Sequence, residues 1–290
     1  MMEYKIVTDS TADLPESFYR ENQIGCMFVP FILNGTEYSE DHQMELKEFY
    51  RLMREEKAMP TTSQINPEQA LNYFRKWLKE SKKILCLSFS SGLSGLYNSV
   101  ELAAGLAMEE DPEAEIIVID SLCAELGEGL FVYVAVQLKK QGMDLKEAAE
   151  WLKEHRTNFI HVFNADSLFH LYRGGRVSKT AAFVGTIMSI KPIMHVDDEG
   201  HLIPVSKAHG KKKSLNMLVD MMEESIQDYA PPYDMVMIGH SDCEEDAFYI
   251  RDEIKRRFGR ENFVINFMGP TIGAHIGPGA CALYFLGKHR

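Results

Sequence analysis

The sequence predicts an α/β protein of two α/β domains, the N-terminal one a parallel sheet flanked by helices and the C-terminal one a mixed sheet with helices. Three observations carry this. Short apolar runs alternate with helix-length stretches through the first 155 residues. The run Ile84-Leu85-Cys86-Leu87 passes through Ser90-Ser91-Gly92-Leu93-Ser94-Gly95 into a long helical pattern, the strand–turn–helix order of a parallel βαβ unit. Farther on, Asp197-Asp198-Glu199-Gly200 separates two strand-like runs, which is a hairpin signal. A boundary near residue 156 is expected, giving domains 1–156 and 157–290.

Taken in order, Tyr4-Lys5-Ile6-Val7 reads as a short buried strand, stopped by the polar run from Thr8 to Asp13. Pro15 opens a helix, with Asp13 or Leu14 near its cap. Residues 26–31 read as a second strand, and Pro30 places it at an edge or at its own end. Asn34-Gly35 makes a turn, and apolar residues at helical spacing predict an amphipathic helix over 46–57. Thr61-Thr62-Ser63-Gln64 is either a solvated loop or a group of hydroxyl donors. Asn66-Pro67 then caps and starts a helix running to about residue 79. A strand over 84–87, a helix from Tyr97 to about Met108 and a strand over 115–119 follow. Residues 130–136 are apolar enough for either helix or strand, and their place after a strand-to-helix turn favours helix. A charged helix over 145–155 closes the first half.

In the second half, residues 159–163 alternate like a strand. Leu171-Tyr172-Arg173-Gly174-Gly175-Arg176-Val177-Ser178 is a basic glycine turn before a helix. Strands over 190–196 and 201–205 flank the hairpin signal. A helix (about 212–226), a strand (235–238), a helix (244–257), a strand (264–267) and a last apolar strand (280–285) complete the chain. No internal repeat or low-complexity segment interrupts it.

With 290 residues, 45% apolar and 26% charged, the chain has the composition of a soluble globular protein large enough for two domains. Its net charge of −12 argues against nucleic acid and against a broadly basic membrane surface. The five cysteines are scattered with no CxxC pair, so neither a zinc site nor a disulfide framework is indicated. Met-Met-Glu-Tyr-Lys runs straight into a strand and no apolar run approaches the ~18 residues of a membrane span. The expectation is a cytoplasmic protein with reduced thiols.

The turn at residues 90–97 leaves free backbone N–H groups at a helix start, which favours an anion, although an ordinary N-cap reads the same way. Phosphate-loop signatures fail: no GxxxxGK[ST] exists, and no GxGxxG follows the first strand. No HExxH or helix-spaced histidine pair supports a metal, and His195, His201, His209 and His240 read as surface or structural. Gly92-Leu93-Ser94-Gly95 resembles half of a nucleophile elbow, yet lacks the glycine two residues after the serine. His275, held among glycines, could serve as a base, and Asp9 or Asp120 could orient it. Turn capping is the favoured reading of both aspartates. What remains is a group of neutral donors, Thr62, Ser94 with the Gly95 backbone, and His275. These can bind a carboxylate without the desolvation cost of a buried salt bridge. The 16 Met and 16 Phe suit an apolar tunnel behind such a site and equally a plain core.

Seven motifs in one order then resemble the DegV family: Asp9-Ser10-Thr11, Pro60-Thr61-Thr62-Ser63-Gln64, Ser91-Gly92-Leu93-Ser94-Gly95, Ile119-Asp120-Ser121, Gly174-Gly175-Arg176, Lys191-Pro192-Ile193 and His275-Ile276-Gly277-Pro278-Gly279. The family is one of bacterial fatty-acid-binding proteins that includes the lipid-binding subunits of fatty acid kinase. The resemblance implies a non-catalytic carrier with no cofactor. A fatty acid such as palmitate, stearate or oleate would lie in a tunnel, its carboxylate near the domain junction. Thr62, Ser94 and Gly95 would hold that carboxylate and His275 would complete the head site. Arg173 and Arg176 would face the kinase catalytic subunit or the forming acyl phosphate. The implied partners are a long-chain fatty acid and that kinase, with room for a transient membrane contact and none for nucleic acid. A serine-dependent lipid hydrolase or acyltransferase using Ser94 and His275 is the alternative. The sequence departs from the family's pattern at Leu96, Ile276 and Lys207, and at Glu125 and Glu128, which interrupt a stretch that is usually less charged.

Overall fold

The computed structural model describes residues 4–178 and 189–290. Its strands are β1 (Lys5–Asp9), β2 (Gly25–Met27), β3 (Phe31–Leu33), β4 (Thr36–Tyr38), β5 (Thr61–Thr62), β6 (Lys83–Ser88), β7 (Glu115–Asp120), β8 (Phe159–Asn164), β9 (Ile190–Val196), β10 (Leu202–His209), β11 (Val236–His240), β12 (Phe263–Phe267) and β13 (Cys281–Leu286). They form three sheets. The first, in the order β2-β1-β6-β7, is parallel throughout. The second, β10-β9-β8-β13-β11-β12, is antiparallel except for the β11–β12 pair. The third is a small antiparallel sheet, β4-β3-β5. The expected α/β architecture, one parallel and one mixed sheet with flanking helices, is what the chain adopts.

Local chemistry explains most element ends. Asn66 accepts the Gln69 N–H while the Gln69 side chain accepts the Asn66 N–H, so both orphan donors at the start of Pro67–Trp77 are satisfied. Asp144 and Glu147 do the same for Leu145–His155. Asn34 and Gly35 both carry positive φ, which suits the two-residue turn between β3 and β4. One expectation fails. Residues 26–31 are not a single strand, because Pro30 has no N–H to give a ladder. The chain leaves the parallel sheet after Met27 and re-enters pairing at Phe31 in the small sheet. The apolar stretch at 130–136 is helical, within Leu126–Lys140. The helix expected after Ser178 lies outside the described residues.

Leu126–Lys140 organises the interior. Its run from Leu130 to Val136 is apolar throughout, and Leu130, Phe131, Val134 and Leu138 are each at most 1% exposed. A helix of that pattern has to be covered all round. Leu85, Leu87 and Ile119 of the parallel sheet and Phe159, Met237 and Tyr284 of the mixed sheet share one apolar cluster with it. Phe131 meets Phe159 edge-on at 4.7 Å between centroids. The two large sheets therefore close on opposite sides of one helix, and the turns at its N-terminal end face the mixed sheet.

Candidate functional site

Thr62 and His275, 213 residues apart, meet through backbone neither could arrange alone. Thr62 pairs with Phe31 across the small sheet, and its Oγ1 lies 3.0 Å from His275 Nε2. His275 sits in a short helix, Pro270–Ile276, which the sequence reading missed. Three glycines and a proline lie at or around it, and seven residues are too few to show a helical period. That helix is held by Thr271 Oγ1 donating to Val29 O at 3.2 Å.

Ser94 and Gly95 come from the turn between β6 and the Leu96–Glu110 helix. Ser94 Oγ accepts the Leu96 N–H at 3.2 Å, which leaves its own proton to donate elsewhere. Ser90 Oγ donates to Gly200 O at 2.9 Å, locking the turn onto the β9–β10 hairpin. Thr62, Ser94, Gly95, His275 and Arg176 all line one cavity of about 330 Å³, within the about 300–1,000 Å³ usual for small-molecule sites. Phe89, Leu93, Phe163, Met268 and Ile272 supply apolar wall to it alongside the polar groups.

The two arginines of the glycine turn part company. Arg176 lines the cavity, with Nε donating to Leu93 O at 3.1 Å and Nη1 bonded to Gly174 O. Arg173 does not line it. Its guanidinium donates to Pro60 O at 2.7 Å and Ala274 O at 3.1 Å, clamping the segment before β5 to the His275 helix. Burial, with Arg176 and then Arg173 nearby, holds His275 down to about 4, so the ring is neutral at neutral pH. Its Nδ1 has no partner, because the Gly174 backbone presses on it: a Cβ at Gly174 would lie 2.2 Å away. An anion brought to Nε2 would meet neutral donors in a field made positive by two guanidinium groups.

No hydrolytic relay is assembled at these atoms. The hydrogen bonds of His275 run to Thr62 and not to Ser94 or to a carboxylate. Asp9 accepts from Thr11 and from the Phe89 N–H at 3.3 Å. Asp120 accepts the Ser91 and Leu122 N–H groups, each at 3.1 Å. Both aspartates cap turns.

Five further polar side chains in the lining, Thr11, Glu125, His161, Thr271 and Tyr284, were not placed at the site by the sequence reading. His161 donates from Nδ1 to Phe159 O at 2.8 Å and accepts the Ala124 N–H on Nε2 at 3.3 Å, so its neutral tautomer is fixed. Gly127 makes this fit, since a Cβ there would fall 2.0 Å from Nε2. Glu125 is 2% exposed, and both carboxyl oxygens lack a hydrogen-bond partner; Tyr284 and the Leu126 amide approach without closing one. Burial raises its pKa to about 8, so it carries its proton at neutral pH. Asp13 beside it is raised as well, by burial first and by Glu125 second. Glu128 is fully buried too, but its oxygens accept from Thr8 at 2.8 Å and Thr11 at 3.0 Å. A glutamate in an acidic chain ordinarily reads as surface. The available signal was the pair of glycines, Gly127 and Gly129, just ahead of the unbroken apolar run from Leu130 to Val136.

Comparison with known proteins places this arrangement. The model of a family described as "Uncharacterised protein, DegV family" matches residues 3–288. A DegV domain-containing protein of Clostridium perfringens is 41% identical, over 100% of this chain and 99% of its own length. A solved structure described as fatty acid binding of a DegV family protein from Thermus thermophilus superposes with a TM-score of 0.86 at 29% identity, covering 99% of this chain and 100% of that one. A DegV-family structure from Ruminococcus gnavus, refined with vaccenic acid, gives a TM-score of 0.87 at 25% identity, covering 98% and 100%.

Proposed function

Because this chain belongs to the DegV family, we propose that it binds a long-chain fatty acid in the cavity and presents the carboxylate to a fatty acid kinase. The reading rests on one observation: a cavity of about 330 Å³, walled in part by apolar side chains, has Thr62, Ser94 and His275 in its wall. Each buried methylene contributes about 0.8 kcal/mol, so affinity comes from the enclosed chain. Orientation comes from the donors. The Ser94 hydroxyl offers one hydrogen bond to a carboxylate and the Thr62 hydroxyl a second, its oxygen accepting from Nε2 of the neutral His275 ring, and Gly95 lets the ligand approach the backbone. Arg176 lies at the same cavity and balances the charge, while Arg173 steadies the segments that carry Thr62 and His275. None of these groups is set to attack the ligand, so the carboxylate stays intact for phosphoryl transfer by a separate catalytic subunit. In this reading the domain junction near residue 156 is where the head site forms, and the protein works in the cytoplasm as a carrier without a cofactor. A transient bilayer contact during loading belongs to the same reading; among the described residues no helix is long and apolar enough to cross a membrane.

Organic extraction of protein purified without added ligand, followed by mass spectrometry, is expected to release long-chain fatty acid. No lipid released and no binding of added palmitate or oleate would refute the carrier. Ser94→Ala and Thr62→Ala are each expected to weaken fatty acid binding by about 1 kcal/mol or more, the scale of a hydrogen bond to a charged group. Unchanged affinity in both would move the head group elsewhere. An activated ester probe is expected to leave Ser94 unlabelled, and labelling there would favour the hydrolase. Kinase presentation is checked separately, by whether a bacterial fatty acid kinase phosphorylates the bound lipid.

A further inference from the structure

Away from the cavity lining, two of the five free cysteines face each other across the end of the mixed sheet. Cys243 Sγ and Cys281 Sγ are 3.5 Å apart, although 38 residues separate them. The approach is built in by the fold. His240, the last residue of β11, pairs with Cys281, the first of β13. Asp242 takes a left-handed conformation (φ +59°), which turns the chain back and sets Cys243 over its partner. The turn is stitched to the incoming strand by Ser241 N to Ala280 O at 2.9 Å, Gly279 N to Ser241 O at 2.7 Å and Ala280 N to Ser241 Oγ at 2.7 Å.

The two sulfurs are unequal. Cys243 is partly exposed and stands at the N-cap of the fifteen-residue helix Glu244–Phe258, where backbone N–H groups favour negative charge. Lys211 lies beside the pair, bonded to Gly279 O and ion-paired with Asp246 at 3.1 Å. The S–H of Cys281, and then this ammonium, hold the Cys243 thiol below its ordinary value. Cys281 is buried, and its own thiol is raised, first by the contact with Cys243 and then by burial. One sulfur thus belongs to a partly exposed thiol at a helix N-terminus, its S–H donated to Ala280 O at 3.1 Å until it ionises, and the other to a sheltered second thiol, the division of labour of a reversible dithiol. Lys211 already supplies the cation beside these sulfurs and Asp246.

We propose that Cys243 and Cys281 are a redox-active pair that closes to an intramolecular disulfide on exposure to peroxide. The Cys243 thiolate attacks one peroxide oxygen, the O–O bond breaks, and hydroxide leaves to become water. The sulfenic acid on Cys243 is then attacked by the Cys281 sulfur; the S–O bond breaks and a second water leaves. Two thiol hydrogens and two electrons pass to the peroxide, and a dithiol reductant returns them. The bond would tie the segment after β11 covalently to the start of β13, the strand that carries Ala282 and Tyr284 into the cavity wall.

The test needs no lipid, so it stands apart from the fatty acid reading. The full-length protein is treated with one to a few equivalents of hydrogen peroxide, free thiols are blocked with N-ethylmaleimide, and intact and peptide masses are read. The expected result is a loss of two hydrogens, two fewer alkylated cysteines, and a Cys243–Cys281 cross-linked peptide that dithiothreitol removes. In Cys281→Ser the cross-link should vanish and dimedone should trap a sulfenic acid on Cys243. Cys243→Ser should leave Cys281 unoxidised at the same dose. A cross-link between any other pair, oxidation straight to sulfinate in the native chain, or thiols unchanged at this dose would overturn the proposal. So would a stoichiometric zinc ion in the native mass spectrum protecting both cysteines, which would make the pair a metal centre.

Discussion

Glu125→Gln is expected to stabilise the protein increasingly as pH rises from about 4.5 to about 8, by up to about 5 kcal/mol on the alkaline side. The sign follows from where the proton sits. In the unfolded chain Glu125 ionises near its ordinary value of 4.5, while burial holds it protonated in the fold up to about 8. Below the first value both states are neutral and the residue costs nothing. Between the two, the unfolded state alone releases the proton, so folding loses about 1.4 kcal/mol per pH unit. Above about 8 both states are ionised and the penalty is constant. Glutamine removes it and relieves Asp13, whose carboxyl shares the environment. Denaturant unfolding at pH 5, 7 and 9 measures the difference. Parallel stability profiles for the two proteins would mean that the carboxyl is hydrated and ordinary. At neutral pH the protonated side chain keeps the cavity wall uncharged at this point, whereas an alkaline medium would set a charge into it.

Ala282→Phe is expected to lower long-chain fatty acid affinity on the order of 100-fold. Ala282 is 1% exposed, stands second in β13 between its cross-strand partners Phe163 and Gly239, and lines the cavity wall. A phenyl ring there would occupy the room of about four methylenes, and at about 0.8 kcal/mol each that is roughly 3 kcal/mol of burial lost. Overpacking could itself cost about 1–3 kcal/mol of stability. Cooperative thermal unfolding and retained binding of a short-chain acid would show the fold intact. Full affinity for oleate in a folded variant would place the chain outside this cavity.

Much of the architecture was legible because periodicity and punctuation agreed. Asn66-Pro67, Asn34-Gly35 and the strand–turn–helix at Ser90–Gly95 each carry a local cause that the tertiary structure left alone. The reading failed where local signals were short or ambiguous. Residues 26–31 looked continuous, yet Pro30 divides them between two sheets. Pro270–Ile276 was lost among its glycines. At the candidate site, Thr62 and His275 were singled out as chemistry, and the fold puts them in hydrogen-bond contact. Which arginine reaches the cavity was not readable, because Arg173 and Arg176 share one turn and differ only in the carbonyls they find. Buried acids were invisible for a different reason. Nothing local distinguishes Glu125 from a solvated glutamate until the apolar run behind it is roofed by a sheet.

The helix Leu126–Lys140 also limits how the two sheets can move. Parting the two sheets would uncover Leu130, Phe131, Val134 and Leu138 together. At about 1.5–3 kcal/mol for each side chain, this approaches the about 5–15 kcal/mol that holds a typical domain folded. The molecule therefore has no hinge like that of a book. If the cavity holds a fatty acid as proposed, its entry and exit are expected to use small displacements at the rim while the spine stays shut, and release is expected to be slow.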